Sequence, residues 1–458
     1  MRSMLNADLI KILACPRDDS SLVDSGGALK STGNNTTYPL LGGVPFLFAE
    51  PGVALDEWRG RYHARLQQVG QEVGRLQETL ARDDLHALTR KRIEGSVTAL
   101  TAHIDELKML LEPLDVTHLT ADHTTYLALR TRLPEDQGLE TYYANLHRDW
   151  CWGDEENARS LELVHAAMAG HDVGKLLVLG AGGGRLAYDL HQALSPALTI
   201  ALDLSPILLL TAKHVTAGKT VALTEFPIAP RDMASAAVPR ELRAPEPARP
   251  GFELVLANAL RPPFKPETFD TLLTPWLADV IGASLAEQAA RWNQLLAPGG
   301  QWVWFGSHAF RDADPAQCLS IEESAAIIAD AGFSEPEITE AEIPYMVSPA
   351  SRHGRRERVV VMRMTKTADV AAPARHAALP DWLVKSDVPV PSAEYFRVQA
   401  AQTRIHAFFM ALVDGQRTIG DMARLMEEQR LMPAAEAEGT IRNFLIRMYE
   451  DSRGYSTF

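Results

Sequence analysis

Residues 176–186 read Leu176-Leu-Val-Leu-Gly-Ala-Gly-Gly-Gly-Arg-Leu186. A short apolar run ends in Gly180-x-Gly182-x-Gly184, and a helical pattern follows. That order predicts a strand, a tight glycine turn and a helix. Glycines there let backbone N–H groups approach a ligand with no Cβ in the way, and the start of a helix faces the same point. Many nucleotide-binding sheets use such a turn, so the segments downstream must narrow the choice. Leu198-Thr-Ile-Ala-Leu-Asp203 predicts a second strand, ending in an acid about twenty residues past the glycines. Phe252-Glu-Leu-Val-Leu-Ala-Asn258-Ala259 predicts a third, and Phe269-Asp-Thr-Leu-Leu-Thr-Pro-Trp276-Leu-Ala-Asp279 a fourth. Leu295-Leu-Ala-Pro-Gly-Gly300 turns into a fifth, Gln301-Trp-Val-Trp-Phe-Gly306.

Glycine turn, acid, Asn-Ala, Phe-Asp-x-Leu-Leu and Leu-x-Pro-Gly-Gly, in this order, resemble the class I S-adenosylmethionine-dependent methyltransferases over residues 142–366. A nicotinamide dehydrogenase shares the first two motifs, but a Leu-x-Pro-Gly-Gly turn before a late strand is unusual there. The resemblance implies an α/β fold: a Rossmann-like class I methyltransferase sheet with helices on both faces. S-adenosylmethionine is the implied cofactor, with Gly180, Gly182 and Gly184 forming its loop. Asp203 would accept hydrogen bonds from the ribose diol, and Asn258 with Ala259 would meet the adenine. The family often has an acid two residues before the first glycine, where Val178 stands here, so another group must meet the methionine ammonium.

Arg148-Asp149-Trp150 precedes the sheet, and Gly180-Ala-Gly-Gly-Gly-Arg-Leu-Ala-Tyr188, Trp302-Val-Trp-Phe-Gly-Ser-His308 and Leu319-Ser-Ile-Glu-Glu-Ser324 follow. This set is similar to the carnosine N-methyltransferase family, whose glycine turn also lacks the acid. It implies that Arg148 holds the cofactor carboxylate, a task that suits a bidentate guanidinium fork. The family usually has Asp where Asn258 stands, and Asn retains an acceptor for the adenine amino group. The resemblance places the catalytic and substrate-binding pair at Asp279 and His308, with Tyr345 as a further pocket residue. A methyl sulfonium is already a strong electrophile, so such an enzyme mainly aligns an acceptor lone pair and settles its proton. The alternatives are a cap on the next helix for Asp279, a solvated loop residue for His308, and core packing for Tyr345.

The 458 residues predict several domains. A net charge of −14 argues against general nucleic-acid binding. The basic stretch at Arg352–Arg358 reads as a solvated loop between two late strands. Three cysteines, Cys15, Cys151 and Cys318, suggest a reducing compartment and no disulfide framework. No signal peptide and no membrane-spanning run is evident, which predicts a cytoplasmic protein.

Residues 1–50 resemble small zinc-ribbon activators of methyltransferases, with Cys15-Pro16 near the start and Tyr38-Pro-Leu-Leu-Gly-Gly-Val-Pro-Phe46 near the end. Of four expected thiolates only Cys15 is present. Asp18, Ser31 and Asn34 stand at the other positions, a poor set for structural zinc, so a metal-free ribbon held by Ile10, Leu13, Val44 and Phe46 is expected. Residues 51–141 predict a helical hairpin broken at Asp83-Asp84, with apolar spacing at Leu66, Val69, Val73, Leu76 and Leu80. As an arm it would join two copies of the chain in a homodimer or cover the active site; as an insertion it would pack on the sheet. Residues 367–390 read as a linker. Residues 391–458 resemble PqqD-like winged-helix domains, many of which bind leader peptides, and Thr418 with Asp421 predicts a capped helix.

The favoured function is methyl transfer from S-adenosylmethionine to nitrogen, on an imidazole or other nitrogen of a small molecule or peptide. The alternatives are a tailoring enzyme whose C-terminal domain recruits the leader of a ribosomally made peptide or another protein partner, and a non-catalytic cofactor-binding scaffold.

Overall fold

The computed structural model describes residues 5–116, 142–311, 314–371, 381–385 and 387–452. Residues 117–141 of the expected hairpin region and residues 372–380 of the expected linker lie outside the described residues. The chain forms two compact units, 1–379 and 380–458.

The first unit opens with helix α1 (Ala7–Ile12) and the antiparallel strands β1 (Leu22–Asp24), β2 (Ala28–Ser31), β3 (Thr37–Leu41) and β4 (Val44–Leu47). Two long helices follow, α2 (Pro51–Leu80) and α3 (Ala87–Leu110), with the break at the expected acids. Helix α4 (Tyr143–His147) runs into a π-helical turn, Arg148–Trp152, and then α5 (Asp154–Met168). The alternating part comprises β5 (Lys175–Leu179), α6 (Arg185–Leu194), β6 (Leu198–Asp203), α7 (Pro206–Thr216), the hairpin β7 (Val221–Glu225) and β8 (Val238–Leu242), then β9 (Phe252–Ala257) and β10 (Phe269–Pro275). Helix α8 (Leu285–Leu295), β11 (Leu296–Gly306), α9 (Ile321–Asp330), β12 (Glu337–Tyr345) and β13 (Arg355–Thr365) complete it.

Eleven strands form one sheet in the order β1-β2-β3-β4-β9-β6-β5-β10-β11-β13-β12. From β4 to β11 the neighbours are parallel, and β13 is antiparallel to both β11 and β12. Parallel strands covered on both faces are apolar throughout, as Leu176 to Leu179 are. The chain builds outward from β5 to β6 and β9, then crosses back to β10 and β11. The gap between β5 and β10 is therefore a topological switch point, where doubly wound sheets bind ligands beyond the strands' carboxyl ends.

The ribbon expected over residues 1–50 is continuous with this sheet. Phe46 and Leu47 pair with Leu256 and Ala257, and Leu13 bridges to Phe264. Leu9, Leu13, Leu22, Leu29 and Tyr38 share one apolar core with Leu177, Leu179 and Trp302. Of the four side chains expected to hold it, Leu13, Val44 and Phe46 are buried, and Ile10 packs against the core from a half-buried position. Where zinc ligands would lie, the side chains bond to one another: Cys15 Sγ lies 3.0 Å from the Tyr38 hydroxyl, Asn34 Nδ2 donates to Cys15 Sγ, and Ser20 Oγ joins Asp18 to Ser31. Among the described residues no group of three or more His, Cys, Asp and Glu is placed to hold a metal ion. No helix among them is long and apolar enough to cross a membrane.

The second unit contains α10 (Asp381–Val384), α11 (Glu394–Ala411), α12 (Ile419–Glu428) and α13 (Ala434–Ser452) around a small core of Phe409, Leu412, Met422, Met426 and Ile441. Thr418 and Asp421 form a reciprocal capping box at the start of α12. The described residues of this unit are helical, without the strands of a wing.

Candidate functional site

A cavity of about 880 Å³ opens at the switch point, at the carboxyl ends of β5, β6, β9, β10 and β11. Arg148, Gly180, Gly182, Asp203, Asn258, Ala259, Asp279 and Tyr345 all line it. Gly184 stands behind the loop as the residue before α6, with φ of 83° and Ala212 Cβ in contact range.

The loop is shaped for close approach. Gly182 has φ of 59°, and a Cβ added there would meet no protein atom within 4 Å, so it would project into open space at the cavity wall. Asp203, at the end of β6, accepts the Gly182 N–H through Oδ2 at 2.9 Å and the Ser205 N–H through Oδ1 at 2.9 Å. It thereby ties the glycine loop to the turn before α7. Burial raises its pKa to about 6, against the lowering effect of the backbone donors at Ser205, Gly182 and Leu204.

The loop is gripped from the opposite side by Arg148-Asp149-Trp150. The π-helical turn requires Gly153, since a Cβ there would strike the Arg148 carbonyl, and Asn157 Nδ2 donates to the carbonyls of Arg148 and Asp149. Trp150 Nε1 donates to Gly183 O at 2.8 Å, and the Gly183 N–H donates to Asp149. A Cβ at Gly183 would collide with the Asp149 carboxylate. Burial raises the Asp149 pKa, with Arg148 opposing. The missing acid before Gly180 thus has a counterpart from outside the sheet: Val178 is buried in the core while Asp149 lines the cavity.

Arg148 donates through Nε to Asp149 and through Nη1 to Glu156. Burial disfavours its charge, and the two acids more than offset that, raising its pKa. These bonds engage Nε and Nη1 of the guanidinium. The other oxygen of Glu156 accepts the Met346 N–H at 2.7 Å, joining Arg148 to the end of β12. There Tyr345 faces Trp276 at 4.8 Å between ring centroids, and Arg355 lies 4.6 Å over the Tyr345 ring. Trp276 has φ of 51°, a strained value for a bulky residue, fixed by donation of its N–H to Phe305 O. Arg355, Arg356 and Arg358, expected in a solvated loop, lie on β13, and Glu342 and Glu357 meet their charges.

Asp279 and His308 part company. Asp279 is 8% exposed, and its Oδ2 accepts from Ser307 Oγ at 2.9 Å and the Ala309 N–H at 2.7 Å. Its Oδ1 is buried without a hydrogen-bond partner among the described residues. It does not cap the next helix, which Ser284 caps through the Glu287 N–H. His308 does not line the cavity beside it. With φ of 47°, it stacks on Trp304 at 5.5 Å between centroids and pairs its Nε2 with Ser324 Oγ at 2.8 Å. Trp304 belongs to the core on the other face of the sheet, so the histidine expected at the acceptor is turned away from it.

Residues missed by sequence reasoning include Trp58 and Arg61 of α2, which line the cavity. The helical spacing that marked α2 carried no sign of which face would meet a ligand.

No protein-family model and no curated protein matches the chain. Among solved structures, a putative methyltransferase from Bacillus halodurans aligns at 14% identity with a TM-score of 0.33, over 45% of this chain and 99% of that one. A putative S-adenosylmethionine-dependent methyltransferase from Listeria monocytogenes gives 13% and 0.32, over 46% and 99%. A complex between the Haloferax volcanii Trm112 methyltransferase activator and a putative methyltransferase gives 11% and 0.32, over 49% and 98%. The strand order, the switch point and the cavity above it make this chain an α/β protein with a Rossmann-like, mostly parallel central sheet.

Proposed function

We propose that the chain is an S-adenosylmethionine-dependent methyltransferase acting on nitrogen, with an imidazole or other N–H-bearing small molecule or peptide as acceptor. The observation that carries this reading is one cavity in which the glycine loop and Asp203 stand opposite a buried carboxylate with an unpaired oxygen, Asp279 Oδ1. The residues present fit the cofactor: Gly182 leaves room at the loop, Asp203 has lone pairs for the ribose hydroxyls, and Asn258 keeps acceptor capacity although its Oδ1 already takes the Leu260 N–H. Arg148 and Asp149 provide opposite charges for the carboxylate and ammonium of the methionine part. When bound, the cofactor supplies an electrophilic methyl group.

Asp279 then does the work of orientation. A buried carboxylate oxygen without a donor is costly, so a ligand N–H that reaches it is favoured. Accepting that N–H fixes the tautomer of an imidazole and points the lone pair of the other nitrogen away from Asp279, toward the methyl group. Methylation leaves a positive charge on the ring, and Asp279 stabilises it and takes the proton.

The test is calorimetric titration of the purified protein with S-adenosylmethionine and S-adenosylhomocysteine, followed by mass spectrometry of histidine-containing dipeptides incubated with protein and cofactor. Micromolar cofactor binding, kept in Asp279→Ala, and a gain of one methyl group, sharply reduced in Asp279→Ala, are the expected results. No cofactor binding would sink the proposal.

A further inference from the structure

Helix α7 begins at the turn that carries Asp203, and its first backbone donors need partners. Pro206 has none to satisfy, and the Ser205 side chain makes no capping bond. The Ile207 N–H instead donates to the hydroxyl of Tyr62, 145 positions away on α2, at 3.1 Å. Tyr62 is 2% exposed and stacks on Trp58, itself 7% exposed, with centroids 5.7 Å apart. Trp58 and Arg61 line the same cavity as Asp203, Leu204 and Ser205. One face of the helical arm is therefore built into the wall of the site, and its phenol caps the helix that follows the ribose-binding acid.

We infer that Tyr62 is a positioning residue for Asp203, and that α2 is a wall of the cofactor site whose order is coupled to cofactor binding. The inference rests on the proposed function, since it takes Asp203 as the ribose acceptor. The linkage runs from the Tyr62–Ile207 hydrogen bond, through the backbone of the turn, to the Ser205–Asp203 hydrogen bond. Tyr62 fixes Ile207, which fixes the turn at Ser205. The Ser205 N–H then stays aimed at Asp203 Oδ1 while Gly182 holds Oδ2. Without the phenol oxygen the Ile207 N–H is left buried and unpaired, and the turn shifts toward other donors. Asp203 then loses a donor that stabilises its charged form. By linkage, a ligand that holds Asp203 must also tighten α2.

The test compares S-adenosylhomocysteine binding to wild type, Tyr62→Phe and Tyr38→Phe by calorimetry from pH 5 to 8. Tyr38→Phe removes a buried phenol oxygen from the ribbon, away from the cavity. The groups electrostatically coupled to Asp203 are the phenols of Tyr62, with Arg61 beside it, and Tyr142; burial raises both phenols above the ordinary tyrosine value, so neither titrates between pH 5 and 8. Tyr62→Phe is expected to weaken binding about tenfold and to move the pH of half-maximal affinity upward, with Tyr38→Phe matching wild type in both. Equal affinity and an equal midpoint in Tyr62→Phe would overturn the inference while leaving the proposed function standing. Failure of the wild type to bind would overturn the proposed function instead. Should Tyr62→Phe not fold, hydrogen exchange on the wild type decides: S-adenosylhomocysteine slows exchange in residues 54–66 if α2 is coupled, and unchanged rates there overturn the coupling.

Discussion

Asp203 makes a prediction whose size follows from its surroundings. Its pKa of about 6 places its titration within an accessible range. A ribose diol donates to the ionised carboxylate, so binding selects that form. At pH 5 only about a tenth of Asp203 is ionised, and at pH 7.5 nearly all is, so affinity for S-adenosylhomocysteine should fall about tenfold between them. Binding below pH 6 should release a proton, seen as a buffer-dependent enthalpy. Apo stability carries the opposite sign. The unfolded Asp ionises near 3.8 and the folded one near 6, so the native state binds more protons between these values. This group's contribution therefore falls as pH rises through that window. Asp203→Asn should remove both pH dependences and weaken binding at pH 7.5 by about 10- to 100-fold, the size of a charge-assisted hydrogen bond. It also leaves one carbonyl oxygen to serve the two donors at Gly182 and Ser205. Calorimetry in acetate and MES buffers measures the first pair, and thermal melts across pH the second. A flat affinity profile in the wild type, or an Asn variant that binds equally well, would refute the reasoning.

Other expectations can be checked with the same material. Gly182→Val should abolish binding by filling the cavity at the loop and should cost about 1–2 kcal/mol of stability for its left-handed backbone, read from binding and melting together. Asp279→Ala should leave S-adenosylhomocysteine affinity near wild type while lowering methyl transfer about 100-fold, measured by turnover on an identified acceptor. His308→Ala should lose about 1–2 kcal/mol of stability with its Ser324 bond and its stacking on Trp304, yet retain turnover; a collapse in turnover at full cofactor affinity would restore it to the acceptor site. Chelator should leave the melting temperature unchanged, because the ribbon positions bond to each other; about one zinc per chain by metal analysis would contradict this.

The glycine strand, the acid at the end of the next strand and the later strands were legible because apolar runs, turn glycines and an acid at a strand end are local patterns. The helix break at Asp83-Asp84 and the Thr418 cap were legible for the same reason. The contacts that finish the site are not local. Glu156 reaches Met346 across 190 positions and Tyr62 reaches Ile207 across 145, and no spacing rule encodes either. His308 shows the limit of placing a residue from its motif. The motif ends a strand correctly, but a left-handed turn at His308 decides the face, and it chose the side of Trp304. The place of Asp149 was half visible: the absent acid at Val178 announced a need for another group, and the fold sets Asp149 at the cavity from a turn before the sheet.

The ribbon's place in the sheet bears on what holds so small a unit together. An isolated domain of some fifty residues buries too little apolar surface to hold itself together, and a zinc ion is a common remedy. Here β4 lies against β9, and the ribbon's apolar side chains join a core anchored by Leu177 and Trp302. Covalent attachment keeps that neighbour at a constant, high local concentration, so the ribbon never has to fold alone or find its partner. Its occupancy of the sheet edge is independent of protein dilution.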